Sequence, residues 1–273
     1  MSAAAFAFAL AAAFLHAGWN VLVAGARDVR AATTVTLALS VLFFAPVAAV
    51  DWNVERAALP WIALSAAIEL VYFWLLVTAY SHSDVSLVYP VARGLAPVLV
   101  LVVSILVGKS VGIWQGVGVA LVGTGVILVR GRDEHADRRG LLLAFAIAGA
   151  IAGYTLVDKE GIAHASAIAY LELVLMPVAI VCVAFEVANG RREVLQANLG
   201  RTTVGGALAS FGAYALVLAA LDRAPAAAVA AVRESGVLVA VALGAFMLHE
   251  RVRPARAAGA VLVVAGVALV ALF

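Results

Sequence analysis

The chain has 273 residues, 66% of them hydrophobic and 12% charged, with a mean hydropathy of +1.10. Soluble domains are nearer half apolar and a quarter charged, so this composition excludes one and defines an all-α integral membrane protein, multi-pass in the cell membrane. The net charge of +2 comes without a basic patch, which excludes nucleic acid as a partner, and the single cysteine, Cys182, excludes an internal disulfide and a cysteine zinc site.

A membrane span needs about 20 apolar residues. Ten such stretches are expected, at roughly 3–24, 31–50, 59–81, 85–108, 112–130, 139–158, 164–188, 201–221, 226–248 and 254–272. The first lacks the basic n-region of a signal peptide and is read as a retained span. The longest polar stretch, Arg130–Arg139, divides the chain into repeats 1–133 and 134–273, each with five spans. Five is odd, so the second repeat enters the membrane inverted, an architecture found in secondary transporters.

Internal similarity supports two repeats. Arg93 lies in span four and Arg233 at the corresponding place in span nine. Gly118–Val129 aligns with Gly259–Val270, with seven of twelve positions identical. Pro90 and Pro97 make span four the expected bending element. Small residues at four-residue spacing suggest close helix contacts at Gly112/Gly116, Gly149/Gly153 and Gly236/Ala240/Gly244.

Twelve arginines fall on one face and four basic residues on the other. The basic side is ordinarily cytoplasmic, which would put both termini outside. The basic face is called A below, and the other B.

Five charged residues lie deep within the expected spans: Glu69, Arg93, Glu172, Arg233 and Glu234. At 1.5 Å per residue, Arg93 is about 12 Å from A, and Glu69 about 15 Å from B. Glu172 and Arg233 are both about 10 Å from B. Depth therefore suggests the pairs Glu69–Arg93 and Glu172–Arg233, leaving Glu234 without a cation as the expected proton carrier. Two readings of these charges stay open: salt bridges that orient helices, and a polar cavity where the repeats meet. The second makes Arg93, Arg233, Glu69 and Glu172 substrate-binding candidates. Tyr72, Trp74, Tyr89, Tyr154, Tyr214, His16 and Asn20 join them, each with packing as the alternative role. Asp158-Lys159-Glu160 sits at a span end and reads as a solvated cap.

No Gly-x-Ser-x-Gly, His-Glu-x-x-His or Walker A pattern occurs, and the five histidines are scattered. An enzyme, a metal site and a cofactor are therefore not expected. The expected partners are a small-molecule substrate and membrane lipid, with the chain a monomer or homodimer.

These residues resemble the EamA branch of the drug/metabolite transporter superfamily. The likeness is carried by Leu87–Pro97, Gly118–Val129, Ala230–Gly236, Leu248–Arg251 and Gly259–Val270, with His16–Asn20 and Gly153–Lys159 as matching first helices. Departures are Gly108-Lys109 in place of a Gly-Glu hairpin tip, and Ala24 in place of a lysine. Such proteins are usually drawn with both termini inside, against the charge count above. The resemblance implies secondary transport of small metabolites such as amino acids or drugs, often efflux, by alternating access. The alternative reading is a flippase for an amphiphilic or lipid-linked substrate.

Overall fold

A computed structural model describes residues 1–82, 85–130, 138–236 and 254–273. Its helices are α1 (Ala3–Ala24), α2 (Val29–Val50), α3 (Leu59–His82), α4 (Val85–Leu106), α5 (Ile113–Arg130), α6 (Arg138–Gly161), α7 (Ala167–Ala188), α8 (Arg192–Ala197), α9 (Arg201–Arg223), α10 (Ala226–Arg233) and α11 (Pro254–Leu272). Six of them, α1, α2, α3, α6, α7 and α9, are long and apolar enough to cross a membrane. Shorter apolar helices occupy Val91–Leu106, Ile113–Leu128 and Ala257–Leu272. The expected ninth span is described only through Gly236; its remainder lies outside the described residues. The short helix α8 was not expected, because its six residues fall below any span-length signal.

Local chemistry sets the helix ends. Ser2 and Asp28 cap α1 and α2 by accepting the backbone N–H of Ala5 and Ala31. Gly108 and Gly190 adopt φ +80 and +72, the left-handed geometry that glycine takes without strain. Each closes a helix with the paired Schellman bonds: Lys109 N–H to Ser104 O and Gly108 N–H to Ile105 O, then Arg191 N–H to Glu186 O and Gly190 N–H to Val187 O. The second turn brings Arg191 back over Glu186.

In lipid, helices associate through close packing rather than the hydrophobic effect. The most extensive contact joins α5 to α11; α1 packs on α9, α6 on both α3 and α4, α2 on α7, and α4 on α10. At the first of these, a Cβ on Gly118 would lie 2.7 Å from the carbonyl oxygen of Gly266, and one on Gly125 would lie 2.6 Å from that of Gly259. Seven residues up α5 correspond to seven residues down α11, so the two helices run antiparallel.

These are not the close contacts expected from spacing. No neighbouring heavy atom lies within 4 Å of a Cβ built on Gly116 or Gly149. Gly112 meets only Gln115 at 3.9 Å, and Gly153 makes an ordinary 3.5 Å contact with Ile68. Of the expected set only Gly236 is tight, 3.1 Å from the Ala13 carbonyl; Ala240 and Gly244 lie outside the described residues. Four-residue spacing marks a helix face, but an alanine-rich chain has several such faces and packing uses one of them.

Both ends are tied across the middle of the chain. On face A, Arg30 and Arg191 both pair with the buried carboxylate of Glu186, and Arg191 also pairs with Asp28. On face B, Glu55 N–H donates to His164 O (3.0 Å) and Ser166 N–H to Asn53 O (2.8 Å), forming the isolated bridge Val54–Ala165.

Candidate functional site

The deep charges converge, though not in the pairs that depth suggests. Arg93 on α4 lies 3.2 Å from Glu234, just past α10, with side chains 8% and 1% exposed. Glu234 is thus not the carboxylate without a cation. Among the described residues Glu69 pairs with no arginine but with a tyrosine, and no cation reaches Glu172, whose Oε2 has no hydrogen-bond partner. The physical reason is that depth fixes height along a helix and leaves the direction around it free. Because α4 packs on α10, residues at similar heights on those two helices meet.

Arg233 is buried; its side chain hydrogen-bonds with Tyr154, and among the described residues its Nε has no hydrogen-bond partner. Its charge acts on His16, Glu69, Tyr154 and Asp158, from helices α1, α3 and α6. Arg93 likewise acts on His16 and Tyr154, so both guanidiniums face one region.

The second focus is Asp158, which is 1% exposed and therefore not a solvated cap. Its Oδ1 accepts from Ser65 Oγ (2.6 Å) and the Tyr170 hydroxyl (3.0 Å). Its Oδ2 lies 2.6 Å from the Tyr214 hydroxyl, which is also 3.1 Å from Glu69 Oε1. Only the rest of that tripeptide behaves as a helix end: Lys159 donates to the Leu221 carbonyl, and Glu160 pairs with Lys109 at the surface. Sequence reasoning missed the aspartate by taking it for a helix end; the signal that could have found it is Tyr154, one turn before Asp158 on the same helix face. Ser65 and Tyr170 carry no comparable signal.

The aromatic candidates divide. Tyr154 sits between Tyr72 and Tyr214, with ring centroids 6.0 and 5.9 Å away. Trp74 is 69% exposed on α3, pointing away from this cluster, because five residues from Glu69 is well over one helical turn. The side chain of Tyr89 lies outside the described residues. His16 accepts the Trp19 Nε1–H at Nδ1 (3.2 Å), which leaves Nε2 as the protonated nitrogen of a neutral ring. The Asn20 amide donates to the His16 carbonyl (2.6 Å) and so serves its own helix. Among the described residues no group of His, Cys, Asp and Glu could hold a metal ion.

A bundle of apolar helices enclosing opposed charges defines a multi-pass membrane protein with a polar centre. Residues 138–272 match the EamA-like transporter family, a family of membrane transporters and not of enzymes. No curated protein matches. A solved structure titled "Crystal structure of protein" is similar over 100% of this chain and 99% of its own, with a TM-score of 0.80 and 14% sequence identity. At that identity the likeness shows the fold alone.

Proposed function

We propose that the chain is a secondary transporter for small organic solutes bearing a carboxylate, working by alternating access between two inverted five-helix repeats. The observation that carries the substrate class is Arg233: its buried guanidinium Nε has no partner among the described residues, which is costly, and an anionic group on the solute relieves it. Arg93, already paired with Glu234, is the second cation at that level.

Packing supports the repeat. Exchanging α1–α5 for α6, α7, α9, α10 and α11 turns the α1–α9 contact into α6–α3, and α1–α10 into α6–α4, while α2–α7, α4–α10 and α5–α11 map onto themselves. In the Gly118–Val129 and Gly259–Val270 alignment, the Gly118–Gly266 contact is the image of Gly125–Gly259. Antiparallel α5 and α11 are what inversion requires. The network on face A and the bridge on face B then join opposite halves at their two ends, where alternating access needs contacts that break in turn.

Coupling to protons through Glu234 loses its motive, because Arg93 supplies the missing cation. Glu69, bonded to a tyrosine and, among the described residues, to no arginine, is the better carrier. The enclosure of Glu69, Arg93, Arg233 and Glu234, each under 10% exposed, favours a solute path inside the protein over a flippase groove open to lipid.

The test is uptake into proteoliposomes of a panel of amino acids, nucleosides, polyamines and dyes, with and without a pH gradient. Amino acids are expected to be transported, and Arg233→Gln to abolish that transport. Transport of polyamines without amino acids would overturn the carboxylate assignment.

A further inference from the structure

We propose that Glu69, Tyr214 and Asp158 hold one shared proton and form a relay that carries it between the membrane centre and face B. The argument is a count of protons. Tyr214 has one hydroxyl proton but two carboxylate neighbours, Asp158 Oδ2 at 2.6 Å and Glu69 Oε1 at 3.1 Å. With both carboxylates ionised, one contact would set two bare acceptor oxygens against each other in a buried site. One further proton satisfies both. Asp158 already accepts from Ser65 and Tyr170, so it is the better anion, and the extra proton rests on Glu69, which donates to the Tyr214 oxygen.

The charge count agrees. Arg93 and Arg233 are balanced by Glu234 and ionised Asp158, so the cluster is neutral when Glu69 is protonated. Arg233 is an independent pointer to this place, being more than nine-tenths buried, without a partner at Nε among the described residues, and acting on both carboxylates.

The step balances. Glu69 O–H breaks as its proton joins the Tyr214 oxygen, while the Tyr214 hydroxyl proton passes to Asp158 Oδ2. One carboxyl has lost a proton, the other has gained one, and Tyr214 is unchanged. Glu69 lies about 15 Å into α3, near the midplane, whereas Asp158 is three residues from the face-B end of α6, about 5 Å. The proton therefore moves outward without either side chain crossing that distance. Other titratable or charged groups facing the relay are Tyr154 from α6, Tyr170 from α7 and Arg233 from α10; Arg93 from α4 acts on Tyr154, and both arginines act on His16 from α1.

The purpose of the relay rests on the transporter reading, but its test does not. Infrared spectra of the full-length protein in lipid are expected to show the C=O stretch of a protonated carboxyl that Glu69→Gln removes and Asp158→Asn keeps. On transfer to D2O this band shifts as the proton exchanges. Tyr214→Phe cuts the relay and Asp158→Asn removes its outer acceptor, so each is expected to slow the exchange by about tenfold or more. Absence of a band that depends on Glu69, or unchanged exchange in both variants, would overturn the relay. Failure of solute transport in the panel would leave these spectra unaffected.

Discussion

The contact between Arg93 and Glu234 can be removed one side at a time. At 3.2 Å and an effective dielectric of about 20, two unit charges attract by about 5 kcal/mol. Desolvation of both groups offsets much of this, so the pair adds little net stability. Removing one partner is different, because a buried charge is then left without its counterion. Glu234→Gln and Arg93→Met are each expected to cost about 3 kcal/mol or more, whereas the double variant should return to within about 1 kcal/mol of the parent. The coupling energy is then about 5 kcal/mol or more. The assay is chemical unfolding of the purified full-length protein in bicelles, followed by tryptophan fluorescence. A coupling energy below about 1 kcal/mol would refute the reasoning, since that is the behaviour of a solvated pair.

Gly125→Ala places a methyl 2.6 Å from the Gly259 carbonyl, a backbone atom that cannot swing aside. It is expected to cost about 1–3 kcal/mol, against no measurable change for Gly116→Ala, in the same unfolding assay. Gly161→Ala would set its Cβ 2.6 Å from the Tyr170 hydroxyl oxygen. That ring is fully buried, so the tyrosine must leave Asp158, with a similar loss of stability and an altered near-ultraviolet tyrosine signal. At face A, the Ala31 backbone N–H, followed by Arg191, holds the Asp28 carboxyl below its ordinary range. A depressed folded value means stability that is complete above the unfolded value of about 3.9 and lost as pH falls through the folded one. Thermal melting below about pH 4 should therefore show a shallower acid dependence in Asp28→Asn than in the parent.

What the sequence determined by itself was the membrane class, most helix limits and the resemblance between the halves. These follow from one-dimensional signals. A run of apolar residues long enough to cross lipid must close its hydrogen bonds within a helix, and α1, α3, α5 and α11 begin and end within a residue or so of the expected limits. The sequence also identified the deep charges, because a charge within such a run is conspicuous. Which charges meet was decided by tertiary structure. Height along a helix is a sum of residue rises, but partners depend on which way each helix faces and which helices touch. Glu234 found Arg93 because α4 packs on α10, and Asp158, near a helix end, was enclosed because Ser65, Tyr170 and Tyr214 arrive from three other helices. The glycines divide in the same way: four-residue spacing singled out Gly112 and Gly116, whereas the antiparallel contact with α11 is made at Gly118 and Gly125.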